Sequence, residues 1–222
     1  ATFYVQAVAD MRSGGVRKDA AKVGSRLLSI AAIVMGIRQD VPFIDIDPNS
    51  KLAAKDLVDS ANTAFGYVPT PEGDEINVDM QRNVARAAAL LGKWQDAILA
   101  LEKVVSKYPL FSKDGKYDDA MAKKVKDLAF VYQDYAVANI RQGKARNQAD
   151  LYTTANATLS NLINAADKNG QLYWECRYLN LLAMYLAGDY DRFKGVLDLL
   201  ERRTPDFDAD AEHKDGRFGI RK

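Results

Sequence analysis

Two stretches of this chain share one spacing, and that spacing constrains the fold more than any other feature. Gly92 is followed by Trp94, Ala97, Leu101, Val104 and Pro109, and Gly188 by Tyr190, Phe193, Leu197, Leu200 and Pro205. Glycine and proline stand 17 positions apart in both copies. Glycine permits a tight reversal between antiparallel helices, where a Cβ would crowd the turn. The aromatic residue anchors the start of the second helix, and the apolar residues at i, i+4 and i+7 form its buried stripe. Proline then ends that helix. A chain that repeats this punctuation is built from helix pairs.

Helical periodicity extends well beyond the two copies. Apolar residues recur at helical spacing through almost all of the 222 residues, with no convincing period-two strand. The pattern predicts a short helix over about 2–12, closed by Ser13-Gly14-Gly15, and a longer one over about 17–38. Val41 to Pro48 reads as extended because its two prolines limit helix. Asn49 or Ser50 then caps a helix that runs to about Phe65. A loop over 67–75, with Pro69, Pro71 and Gly73, separates an N-terminal helical region (1–66) from the repeat region (76–207), and a polar tail (208–222) ends the chain. Within the repeat region the expected helices are 76–91 with 94–107, 117–142 with 146–167, and 171–187 with 189–203, reversing at Gly92, Gly143 and Gly188.

The two copies resemble the tetratricopeptide (TPR) repeat, a helix–turn–helix unit of about 34 residues. On that register they are Val78–Phe111 and Trp174–Phe207. The small or apolar positions of the family's first helix fall on Val84, Ala85 and Ala88, then on Asn180, Leu181 and Met184. Asn180 and Phe193 depart from the family's usual leucine and alanine, and the middle pair keeps Gly143 and Tyr152 in helices longer than the consensus. The resemblance implies an all-α fold of about seven or eight helices, in antiparallel pairs stacked as a short right-handed TPR-like solenoid.

It also implies a binding face. In that family concave-face residues come mostly from the first helix of each repeat, which here gives Asp79, Arg82, Arg86 and Ala89, then Glu175, Tyr178, Leu182 and Tyr185. Asp79, Arg82, Arg86, Tyr178 and Tyr185 are the expected partner-binding set. Arg82 and Arg86 lie one helical turn apart and project together, as a pair that can hold a carboxylate. The family's clamp of lysines and asparagines for C-terminal peptides is not reproduced. Tyr132, Tyr135, Tyr173, Tyr178, Tyr185 and Tyr190 fall on or near the repeat helices, where tyrosine serves either core packing or an interface.

Composition narrows the function classes. Thirty-one Lys and Arg almost cancel 30 Asp and Glu, and the charges are interspersed, so nucleic acid is not an expected partner. The longest apolar run, Leu27 to Ile37, is shorter than the roughly 20 residues a bilayer span needs, so no membrane insertion is expected. There is one histidine, His213, in the polar tail, and one cysteine, Cys176, in an apolar helical pattern that suits a small buried side chain. No catalytic centre, metal site or cofactor is therefore expected. The common phosphate-binding glycine motifs are absent. Asp45 to Asp56 loosely resembles a calcium loop, but Ser50 replaces its turn glycine and Asp56 its bidentate glutamate, so helix capping is the better reading. Asn156-Ala157-Thr158 is a formal glycosylation sequon in mid-helix, and Lys113 to Lys126 reads as a solvated helix start. Ala1 stands first without a methionine, which fits a leader removed on export to a non-cytoplasmic compartment as well as a start chosen by design.

The expected function is a non-catalytic scaffold or adaptor that binds a protein or peptide partner. One alternative is an assembly factor that promotes oligomers or filaments of itself or of a larger enzyme complex. Its motive is the Leu27–Ile37 segment, apolar nearly all round, which must be covered by its own chain or by self-association. The other alternative is a helical enzyme using scattered carboxylates.

Overall fold

The computed structural model describes residues 2–15, 17–34, 48–69, 75–168 and 170–203, with the backbone alone at Thr2 and over 48–53. Ten helices lie among the described residues: α1 (Thr2–Arg12), α2 (Ala20–Val34), α3 (Pro48–Phe65), α4 (Val78–Leu90), α5 (Trp94–Lys107), α6 (Asp119–Lys124), α7 (Leu128–Arg146), α8 (Ala149–Ala165), α9 (Gln171–Leu186) and α10 (Tyr190–Arg203). The all-α expectation holds, while these ten helices exceed the seven or eight expected. Among the described residues the one extended pairing is an isolated bridge between Phe111 and Tyr117. The chain forms two compact units, Ala1–Lys107 and Tyr108–Lys222, so the first repeat pair belongs with the N-terminal helices.

Both repeat glycines do what their spacing requires. Gly92 (φ 71°) and Gly188 (φ 77°) take the left-handed conformation that ends α4 and α9. The amide of Gly92 donates to Ala89 O (2.9 Å) and that of Lys93 to Ala88 O (2.9 Å). At the second copy Gly188 N donates to Tyr185 O (3.1 Å) and Asp189 N to Met184 O (3.0 Å). This is the Schellman cap, which satisfies two carbonyls the helix would otherwise leave open. The next residue restarts the chain as helix, since Lys93 O accepts from Ala97 N and Asp189 O from Phe193 N.

In the first unit α2 and α3 form the tightest pair, packed through small side chains. Ala20, Val23, Leu27, Leu28 and Ala31 of α2 meet Ala54, Val58, Ala61, Ala64 and Phe65 of α3 in one core. A Cβ at Gly24 would lie 2.7 Å from Cδ1 and 2.8 Å from Cζ of the buried Phe65 ring, so the glycine is there to admit the ring. Val8 and Met11 of α1, with Ala87 and Leu90 of α4, close the remaining sides of this core. The apolar surface of Leu27 to Ala31 is thus covered within its own unit, while Ile33 (70% exposed) and Val34 (45%) stay accessible. Met35 to Ile37 lie outside the described residues, as does the segment expected to be extended over 41–47. Pro48 opens α3, earlier than the expected cap at Asn49 or Ser50; at a first helical position its missing N–H costs nothing.

The second unit departs from expectation twice. The helix expected over 117–142 is broken. Asp118 Oδ1 caps α6 by accepting from Met121 N (2.9 Å), and Val125 leaves the helix in an extended conformation with its side chain buried. Asp127 then adopts φ 59° before α7 begins. A β-branched residue that favours extended backbone and an aspartate that tolerates the left-handed region are suited to such a break. The reversal expected at Gly143 is also displaced. Gly143 lies inside α7, where a Cβ would be 3.0 Å from Tyr152 Cε1, so it allows close approach of α8. The turn falls at Asn147 (φ 54°), and Gln148 N reaches back to Gly143 O (3.1 Å), the same five-residue reach as at the repeat glycines. Asparagine is the usual substitute for glycine there.

Gly24 gives a test of which effect wins. Helix propensity alone makes Gly24→Ala stabilising by about 1 kcal/mol. Overpacking a buried ring costs about 1–3 kcal/mol, and Phe65 is 3% exposed, with little room to shift. Gly24→Ala is expected to lower the urea midpoint, and to cost much less in a Phe65→Leu background. Equal costs in both backgrounds would show that the ring is not the obstacle.

Candidate functional site

The five residues expected to bind a partner fall on two helices, one in each unit. Asp79 and Arg86 are exposed on α4 and Arg82 is half-buried between them. They run with half-buried Ala89 along one stripe, and Ala85, Ala87 and Leu90 flank it as the buried residues of the helix. Asn77 starts this helix, its side chain accepting from Met80 N at 3.0 Å. On α9, Glu175, Tyr178 and Leu182 are half-buried and Tyr185 is 52% exposed. Tyr173, Cys176, Leu179, Asn180, Leu181, Ala183 and Met184 are the buried residues of that helix. The spacing of 3, 4 and 3 residues is the same in both stripes, which keeps each within one helical face.

Two features of the α9 stripe go beyond the expected set. Glu175 is held by neutral donors: Gln133 Nε2 on α7 donates to its Oε2 at 2.8 Å, and Gln171 Nε2, one turn earlier on α9, donates to its Oε1. Gln133 is only 7% exposed, so this amide is spent on the carboxylate rather than on water. At the other end the Tyr185 ring lies 5.5 Å from the Tyr190 ring and 5.8 Å from Phe193, centroid to centroid. Tyr190 is 59% exposed, so an aromatic group stands at the turn around Gly188. The signal for Gln133 in the sequence is a long amide beside Asp134 in a mostly apolar stretch, whose partner lies 42 residues away.

Other polar side chains serve packing. Asn180, the departure from the family's leucine, is buried, and its Nδ2 donates to Asn156 Oδ1 at 3.1 Å, fastening α9 to α8. Asn156 of the sequon is therefore already engaged on a helix. The Tyr132 hydroxyl accepts from Leu110 N (2.9 Å) and donates to Tyr108 O (3.2 Å), clamping the start of the second unit to α7. Among the described residues no group of three His, Cys, Asp or Glu could hold a metal ion, and no helix is long and apolar enough to cross a membrane. His213 and Asp45 lie outside the described residues.

Cys176 is fully buried, and burial, with a smaller contribution from Glu175, pushes its thiol from 9.0 up to about 12. The unfolded chain would lose this proton near pH 9 and the folded chain only near pH 12, so stability is untouched at neutral pH and falls as pH rises through that window. Because the thiolate is the nucleophile, iodoacetamide at pH 8 should leave the folded protein unmodified and alkylate it fully in denaturant, as read by mass spectrometry. Equal rates in the two conditions would contradict the burial.

No family model matches this chain, and no curated protein or solved structure matches it.

Proposed function

We propose that this chain is a non-catalytic interaction scaffold of TPR-like helix pairs, arranged as a short right-handed solenoid, and that the two stripes are its partner-binding faces. The observation that carries the reading is the accessibility pattern. On both α4 and α9 every position matching the family's concave face stays at least partly accessible, and none of them is among the buried residues of its helix. Helices kept in place by packing on several sides, with a polar and aromatic stripe still partly accessible, are rigid platforms for a partner.

Packing order supports the same reading. In the second unit α8 packs on both α7 and α9, α9 packs on α10, and α7 also meets α9. In the first unit α3 packs on α2 and α4, α4 packs on α5, and α2 also meets α4. Contact between each helix and the next, and between first helices of successive pairs, is the way repeat pairs stack. On the first stripe Arg82 and Arg86 favour an acidic group of the partner. On the second, Tyr178 and Tyr185 offer large, rigid contact area at low entropic cost.

Capture from the native source followed by mass spectrometry tests this. The wild-type chain is expected to retain a defined partner that either Arg82→Glu with Arg86→Glu or Tyr178→Ser with Tyr185→Ser releases, with circular dichroism unchanged. Loss of two buried contacts of hot-spot type is worth about 2 kcal/mol or more, roughly a thirtyfold fall in affinity. The same retained proteins in wild type and both double variants would remove these faces from the function.

A further inference from the structure

The α9 stripe has a chemical polarity that specifies more than "a protein". Glu175 sits near its N-terminal end as a half-buried carboxylate whose direction is set by two amides, one from its own helix and one from α7. Neutral amides orient a carboxylate without cancelling its charge. Such a group has about four lone-pair sites, and the two amides occupy two. No cation among the described residues pairs with it. Arg177, two positions along, is committed elsewhere, its Nε donating to Tyr173 Oη at 3.2 Å with the guanidinium 5.3 Å from that ring's centroid.

Ten residues further along the helix, about 15 Å at the usual rise, the stripe becomes apolar. Leu182 is half-buried, and Tyr185, Tyr190 and Phe193 form the aromatic group at the turn. Phe130 (39% exposed) and half-buried Val137 of α7 lie one turn on either side of Gln133, extending the apolar border beside the carboxylate.

We propose that this stripe receives an amphipathic helix of a protein partner, with an arginine or lysine on Glu175 and leucine-like side chains over Leu182, Tyr185 and the Tyr190–Phe193 rings. This rests on the scaffold reading and deepens it by assigning the partner's chemistry. The argument for a cation is charge complementarity. A carboxylate that a 7%-exposed glutamine holds in place is a built acceptor, and a guanidinium can use its remaining lone pairs without displacing either amide. Fixed spacing between charge and apolar surface then favours a stiff ligand over a flexible one, because a helix holds its cation and its leucines at set distances.

The test uses the full chain and fluorescein-labelled helical peptides of about 18 residues, about 27 Å long. Each has leucines on one face and one arginine at the N- or C-terminal end of that face, and its companion has glutamate in the arginine's place. By fluorescence anisotropy, one of the arginine peptides should bind at least about tenfold more tightly than its companion. Glu175→Gln and Glu175→Ala should each abolish that preference, and Tyr185→Ser should weaken both peptides alike. A preference that survives both Glu175 variants, or that the wild type never shows, overturns the assigned partner chemistry. Should both peptides bind equally and Tyr185→Ser weaken both, the scaffold reading stands and only the charge assignment falls. If no peptide binds the wild type, this face falls as a binding surface in both proposals.

Discussion

The amide of Lys93 reaches back five residues to the carbonyl of Ala88, and this bond decides where the first repeat can reverse. It requires one left-handed residue just before it, and it converts a frayed helix end into a fixed corner. The same reach recurs from Gly15 to Asp10, from Gln148 to Gly143 and from Asp189 to Met184. Four helices therefore stop with their last carbonyls satisfied, and after α4, α7 and α9 the next helix begins across only two or three intervening residues. Corners this short leave consecutive helices little choice but to pack on each other. α4 and α9, which carry the two proposed stripes, both end in such a corner.

Close packing behind the corners is achieved by removing atoms rather than adding them. Gly24 admits Phe65, and Gly143 admits Tyr152. In both places an aromatic ring lies against bare helix backbone, which gains dispersion contacts that a side chain would have blocked. The alanines of α3 at 54, 61 and 64, all 0% exposed, serve the same end by letting α2 approach. Large side chains then fill the space between layers: Leu27, Leu159, Leu162 and Leu179 are all at most 1% exposed. Burying a leucine completely is worth about 1.5–3 kcal/mol, so the small residues contribute chiefly by making those burials possible.

Helices were legible in the sequence wherever glycine spacing and apolar period agreed, as at Gly92 and Gly188. They were not legible where a single residue has two uses. Gly143 has the right neighbours for a turn, and nothing local shows that Tyr152, nine residues on, will need its bare backbone. Asn147 takes the turn instead, a role that asparagine fills less often than glycine. The break at Val125 to Asp127 was equally hidden, because Asp118 and Val125 act through a cap and a backbone preference too weak to outweigh an unbroken helical period on paper. The proposed stripe positions come from register alone, whereas no register points to Gln133, since its meaning depends on Glu175 in another helix. Contacts over such separations are set by packing, which a one-dimensional pattern does not contain.

Two buried amides show how structural and interactive polarity differ. Asn180 is 2% exposed and finds its acceptors inside the α8–α9 contact, at Asn156 and Ser160, so its hydrogen bonds begin and end in the core. Replacing it with an apolar residue would alter how two helices register, and nothing outside would sense the change. Gln133 is nearly as buried, yet its amide ends on a carboxylate that water can still reach. Burying an amide is costly unless its hydrogen bond is made. Fixing an ionised acceptor with it also restricts a side chain whose freedom a partner would otherwise have to remove. An oriented charge at the edge of an apolar stripe loses less entropy on meeting a counter-charge than a freely rotating one. Orientation is thus the property that fits Glu175, the one carboxylate of α9, for such a role, and part of it is supplied from the interior of α7.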